Sequence, residues 1–448
     1  MAEKFRKIYL GECFLFVGGR MQEPNEKKIH KLCPNILRES VQAYIEKIFS
    51  GKKYDEAEVC PYCNSKNLYL HSYKERTFCI LITENGFKEI KVSIGIFKCK
   101  ECNKFFRASN LPFYEGCKYG KPIVDLCLWM VSSMPYNRVE NVLMQFGIQV
   151  DRDTVKRYCQ KFGKKAKKIA GIKFLGESVG INLLKILFNV ENVEELRKKY
   201  PDEKYDAVAD ETYPTIRGAK KKLREENKIR KWKGEKTKRH PDGFCVSTSY
   251  LPNLQLFASL ICTPSSFNWL LAKLLFLPLQ GVNSICTDGN PSYKDSNPIL
   301  CIIHRFRNLV KCKEIKELQK ELHPYEFHEV LRFIFEEFKR EVIETLKKMY
   351  PDLVEEDEFI GAISTNAIEG GNWRIKWNLR TSYSNLDGLN GRVLLILIMD
   401  TMFVFRNGKP TESFTHANSN FKLENIMEEK LPLNEIESPS YLQPIVIA

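Results

Sequence analysis

Three acidic residues stand where their types and surroundings could support metal-dependent chemistry. Asp210 lies in YDAVADETYPTI (residues 205–216), whose first half alternates apolar and charged positions and reads as a short buried strand with Asp210 and Glu211 at its end. Asp288 closes the apolar run in SICTDGNPSYKD, which begins at Ser284, and Glu369 sits in the first turn of a helix opened by STNAIEGGNWRIKWNLR, which begins at Ser364. A carboxylate at the end of a buried strand is costly unless something compensates it. Three acids projected from separate elements toward one point can hold two divalent cations about 4 Å apart, the arrangement for in-line phosphoryl transfer. We therefore expect a phosphoryl-transfer centre acting on nucleic acid. Other readings stay open at this level: Asp288-Gly289-Asn290-Pro291 is also ordinary Asx-turn chemistry, Asn366 and Glu369 could form a capping box, and Glu211 and Asp295 are reserve acids.

A second cluster is sulfur-based. Cys60-Pro-Tyr-Cys63 and Cys99-Lys-Glu-Cys102 flank a strand-rich interval with a turn at Asn85-Gly86. Two such knuckles around a hairpin can bring four thiolates to a tetrahedral structural zinc at about 2.3 Å. A module this small needs the metal for stability. Two unrelated cysteine pairs or a redox dithiol are the alternatives.

The elements that must position these groups follow from periodicity. Asn35 to Phe49 has helical spacing. Pro122 to Ser133, Asn137 to Phe146 and a third segment with Val155, Tyr158, Cys159 and Phe162 on one face make a helix-turn-helix, with Asp151 as N-cap. Its last helix would offer Arg152, Thr154, Lys156, Arg157, Gln160 and Lys161 to a major groove; a purely structural three-helix bundle is the rival. Ile181 to Lys199 reads as a helical linker. From Tyr205, three strands (to residue 210, 243–250, 254–263), an apolar helix (267–277), a strand ending at Asp288 and a fifth strand (298–303) form a βββαβαβα order, that of the ribonuclease-H-like fold. The basic run Arg217 to Arg239 is expected as a phosphate-gripping loop with Trp232 free to stack on a base, a solvated charged face being the alternative.

The chain has 448 residues, a formal charge of +14, 43% apolar residues and fifteen cysteines. That length implies several domains, the charge a polyanionic partner, and the dilute, odd cysteine count a reducing compartment. The most apolar run, Val393 to Val404, is too short to span a bilayer and carries Asp400, so it is expected as a buried helix, with no membrane partner.

Asp210, Asp288, Cys301-x-x-His304 in CIIHRFRNL and the Thr365-Asn366-x-x-Glu369 block together resemble the DDE transposases of prokaryotic insertion sequences, in their Mutator-like branch. The resemblance covers roughly Tyr205 to Arg406. It implies a zinc ribbon and a helix-turn-helix ahead of an α/β ribonuclease-H-like catalytic domain with a helical insertion. The expected division is an N-terminal helical segment (1–55), zinc ribbon (56–115), helix-turn-helix (120–170), linker (171–200), catalytic domain (201–407, insertion about 308–360) and a poorly ordered tail (408–448). Asp210 would bridge two Mg²⁺ (or Mn²⁺) ions, with Asp288 on one and Glu369 on the other. His304 would contact the scissile phosphate or lock the strand end. Arg305, Arg307, Arg374 and Lys376 would suit phosphate contacts, and Trp373 and Trp377 would be core or stacking residues. Partners would be double-stranded DNA, as terminal inverted repeats and target, with a homodimer or higher oligomer in the cytoplasm at the nucleoid. A domesticated DNA-binding regulator and a structure-specific nuclease or resolvase are the rivals.

Overall fold

In a computed structural model, residues 35–170, 172–174, 178–190, 192–199, 207–212, 219–237, 245–251, 256–263, 285–288, 299–349, 365–378, 386–402, 405–406, 409–410 and 422–430 are described. The expected helix over 267–277, Asp295, the turn after Asp288, and residues 1–34 and 431–448 lie outside them. The chain divides into two compact units, Met1–Tyr158 and Cys159–Ala448.

In the first unit, α1 (Asn35–Phe49) has the bounds its periodicity predicts, and precedes β1 (Lys53–Tyr54). Strands β2 (Leu68–Thr83) and β3 (Gly86–Cys99) form a hairpin much longer than the two short strands expected. Its turn residues are Glu84 and Asn85, because Thr83 pairs with Gly86, and Gly86 takes a φ of +100° that only glycine adopts at low cost. On the other edge of β3 lie β1 and β4 (Phe105–Arg107). The end of the hairpin far from the cysteines carries the core, with Phe78, Leu81, Ile82, Ile90 and Val92 all buried. Three helices follow: α2 (Lys121–Val131), α3 (Tyr136–Gln145) and α4 (Arg152–Ala170), the last beginning in this unit and continuing past Tyr158 into the second. Their connecting turn is clamped by the hairpin, for the Ile82 N–H donates to the Gly147 carbonyl at 2.8 Å and the Gln149 N–H to the Ile80 carbonyl at 2.9 Å. Gly147 is required here, at φ +74°.

The second unit is built on a seven-stranded sheet in the order β11-β10-β7-β8-β9-β6-β5. The outer strands β5 (Ile172–Phe174) and β6 (Ser178–Asn182) overturn part of the linker expectation: residues 178–182 pair with the sheet, and only then come the helices α5 (Leu183–Phe188) and α6 (Val193–Lys199). Strand β7 (Ala207–Thr212) is antiparallel to β8 (Cys245–Leu251), which is antiparallel to β9 (Leu256–Thr263). Parallel to β7 run β10 (Ile285–Thr287) and then β11 (Ile299–Leu300). Between β7 and β8 the basic run is a helix, α7 (Ala219–Trp232), and not a loop. Its Lys- and Glu-rich sequence favours helix intrinsically, and Lys222 and Glu226 sit one turn apart.

The fifth strand is shorter than expected: Cys301 leaves it and α8 (Ile302–Val310) begins at once. The helical insertion is present as α9 (Lys313–Glu321) and α10 (Pro324–Met349), broken where Pro324 starts the second helix. Then come α11 (Asn366–Asn378) and α12 (Leu386–Met402). Buried from Gly388 to Ile398, α12 is the enclosed helix its composition predicts. Among the described residues no helix is long and apolar enough to cross a membrane. In the segment expected as a poorly ordered tail, α13 (Leu423–Met427) buries Ile426 and Met427, and Glu429 pairs with Lys165 at 3.3 Å.

Candidate functional site

The four cysteines of the two knuckles form the one group of three or more metal-ligating side chains found among the described residues, with all ligand atoms within 4.8 Å of one another. Each knuckle is made the same way. The Cys60 N–H donates to the Ser65 carbonyl at 2.8 Å and the Cys99 N–H to the Lys104 carbonyl at 3.0 Å, the same five-residue span. After the second cysteine of each, Asn64 and Asn103 adopt left-handed backbone, φ 57° and 56°, a conformation asparagine tolerates. The Cys60 and Cys102 sulfurs lie 3.6 Å apart, as do those of Cys63 and Cys99. Backbone N–H groups turned toward sulfur, led by that of Cys102, pull the Cys99 thiol down to about 7. Four convergent thiols with such donors fit tetrahedral zinc and its preference for thiolate.

The acids lie in the second unit. Asp210 is inside β7 and not at its end, because β8 continues the ladder past it: Asp210 faces Thr248, and Thr212 still pairs with Val246. Cys286 of β10 pairs with Val208, and Asp288, just past the end of β10, lies near enough for its charge to act on the Asp210 carboxyl. Above β7 packs α11, whose Asn372 Nδ2 donates to Asp210 Oδ2 at 2.7 Å. Burial, then the charges of Glu211 and Asp288, pushes the Asp210 carboxyl up to about 6, although a Glu211 N–H and Asn372 favour its ionised form.

Glu369 lies one turn before Asn372 on α11. Its N–H donates to the Thr365 carbonyl at 2.9 Å, so Thr365 caps the helix and the Asn366–Glu369 capping box does not form. The Glu369 carboxylate instead meets Arg307 Nη1 at 3.5 Å and His304 Nε2 at 3.9 Å, both from α8. Behind them Thr365 Oγ1 donates to Cys301 Sγ at 3.2 Å and lies 3.5 Å from His304 Nδ1. The Cys286 thiol also bonds to Cys301; that donor, with Thr365, holds the Cys301 thiol well below its usual range and pushes Cys286 above it. Asp210 thus lies on β7, Asp288 directly follows the neighbouring strand β10, and Glu369 shares a helix face with the residue that grips Asp210. The three carboxylates do not close within 4.8 Å as the thiols do.

Other expected residues are placed differently. Arg305 points to α10, reaching Glu341 at 3.2 Å and the Phe338 ring at 5.3 Å. Lys376, Trp373 and Trp232 are exposed, Trp232 by 86%. The side chains of Arg374 and Trp377 lie outside the described residues. On α4, Asp151 is the N-cap, accepting from the Thr154 N–H at 2.8 Å and its hydroxyl at 2.6 Å. Thr154 is therefore buried, 1% exposed, and does not offer its hydroxyl to a groove. Arg152 and Arg157 are exposed, and Lys156, Gln160 and Lys161 half-buried. Asn372 is the residue sequence reasoning missed; its signal was the three-residue spacing from Glu369, which puts both on one helix face. Neither the protein-family models nor the curated proteins compared with this chain give a match.

Proposed function

We propose that this chain is a DNA transposase of the DDE class, which binds the ends of a mobile element and cuts and joins DNA at the acids of its second unit. The observation that carries this reading is the pairing of β7 with β10, which brings Asp210, on β7, near Asp288, just past the end of β10, beneath the helix that bears Glu369. The sheet supports it. Its central order β11-β10-β7-β8-β9, antiparallel across β7–β8–β9 and parallel across β7–β10–β11, is the order of a ribonuclease-H-like core.

The residues fit a hard divalent cation. Oxygen ligands predominate, the Asp210 carboxyl is pushed up by burial and then by the adjacent negative charges, and the buried Asn372 Oδ1 beside it has no hydrogen-bond partner. Asp210, Asp288 and Glu369 would hold Mg²⁺, which when bound supplies Lewis-acid activation of a phosphodiester and of the attacking oxygen. Asn372 fixes the Asp210 carboxylate and selects the oxygen left free for the cation. Arg307, half-exposed beside Glu369, meets the phosphate, and His304 is held by Thr365 for the same task. The knuckles hold structural zinc, and α4 offers Arg152, Lys156, Arg157, Gln160 and Lys161 to the double-stranded DNA of the element ends. Action at the nucleoid, on two ends held by a dimer or higher oligomer, follows from the same reading.

Purified protein incubated with labelled element ends, target DNA and Mg²⁺ tests it. Strand-transfer products are expected. Binding without cutting would mark a regulator, cutting without joining a nuclease, and either would overturn the proposal.

A further inference from the structure

At its cysteine end the sheet of the first unit leaves aromatic side chains exposed on the face that, further along β3, carries the buried Ile90, Val92 and Ile94. Rungs across β2, β3 and β4 alternate in direction. Leu70, Phe97 and Phe106 form one rung, with Phe97 buried and its ring stacked on Phe106 at 6.0 Å. Phe97 is the buried member of that rung, Leu70 being 40% exposed. The neighbouring rung is Tyr69, Lys98 and Phe105, and it points the opposite way. Tyr69 is 39% and Phe105 49% exposed, at positions where a solvated strand face ordinarily carries polar residues. Lys98 Nζ lies 5.3 Å from the Phe105 ring centroid, and the next rung on this face adds the exposed Arg107. Beside the first knuckle Tyr62, 57% exposed, has Lys104 Nζ 4.7 Å from its ring.

We infer that this face binds unpaired nucleic acid, with Tyr69 and Phe105 stacking on two bases and Lys98 between them meeting the intervening phosphate. Aromatic platforms interleaved with cations suit a single strand, because each base offers a π-face that a duplex hides within its own stack. The rung carries no Asn or Gln and so lacks the bidentate amide reading of duplex base edges. Cations beside the rings favour a polyanion. This inference is independent of the acids in the second unit.

Fluorescence anisotropy of the full-length, zinc-loaded protein without Mg²⁺, using a labelled oligothymidylate of about 20 nucleotides and a duplex of equal length, tests it. Tyr69→Ala with Phe105→Ala should weaken oligothymidylate binding by about 100-fold, roughly tenfold per lost stack, while duplex affinity holds. Tyr69→Phe with Phe105→Trp should retain binding, and zinc content should match in all variants. The assay reads binding without Mg²⁺, so failure of this inference and failure of the catalytic reading, which is read by Mg²⁺-dependent cutting, give different results. Unchanged oligothymidylate binding in the zinc-replete alanine variant would overturn it, as would competition by poly-Glu equal to that by oligothymidylate.

Discussion

Asp210 concentrates the tension in the second unit. Its carboxyl titrates near 6 against an ordinary 3.8, chiefly because it is buried, with Glu211 and Asp288 adding to the shift. Between those two values the metal-free folded chain holds a proton that the unfolded chain has lost. Stability should therefore fall as pH rises through that window, a trend that denaturant titrations at stepped pH would register. A cation at Asp210 competes with that proton, so Mn²⁺ affinity should rise over the same interval and level off above about 6. Asn372→Ala removes a donor that favours the carboxylate and should raise the Asp210 carboxyl further, moving both transitions to higher pH. Asp210 was legible because an acid at the end of an apolar run is conspicuous. Asn372 and the burial of Thr154 were not, since both depend on which neighbour a side chain meets: the first on a strand 162 residues away, the second on an N-cap that takes up the hydroxyl.

Elements were read best where periodicity is long. The helices at 35–49 and 136–145 came out close to their expected bounds, and the enclosed helix α12 begins seven residues before the expected Val393. Residues 178–182 were misread as linker because SVGIN is too short to show a strand period of its own, and its place in the sheet comes from pairing with β9 and β5. The basic run between β7 and β8 was taken for a loop from its charge, whereas its helix propensity prevailed. A tight crossing inside the second unit offers a test at this scale. Gly163 of α4 approaches the backbone of α12, where an added Cβ would run into the Asp387 carbonyl and come within 2.7 Å of the Gly391 N–H nitrogen. Gly163→Ala should cost about 1–3 kcal/mol by overpacking, measured as a lower denaturant midpoint with an unchanged slope.

For the molecule as a whole, two kinds of metal site are expected in two separate units, and they differ in chemistry. The thiol site would take a soft-tolerant, structural ion that is coupled to folding, while the acid site would take a hard, exchangeable one. Cys60→Ser should lower bound zinc below one per chain by atomic absorption. It should also lower the first thermal transition, because zinc binding to such a site contributes on the order of 10 kcal/mol of free energy coupled to folding. Zinc knuckles were legible down to the ligand, since paired C-x-x-C spacing admits few other structures. The geometry around the acids was not legible, because convergence depends on strand register and on the pitch of α11 over the sheet.

Mg²⁺-dependent nicking of supercoiled DNA, compared between the zinc-replete wild type and Asp210→Asn, Asp288→Asn and Glu369→Gln, tests that convergence most directly. Wild-type protein should nick, and each single substitution should reduce the rate by at least about a hundredfold while duplex binding holds, since each acid serves the same metal-assisted step. A variant of any of the three that nicks at the wild-type rate would contradict the account.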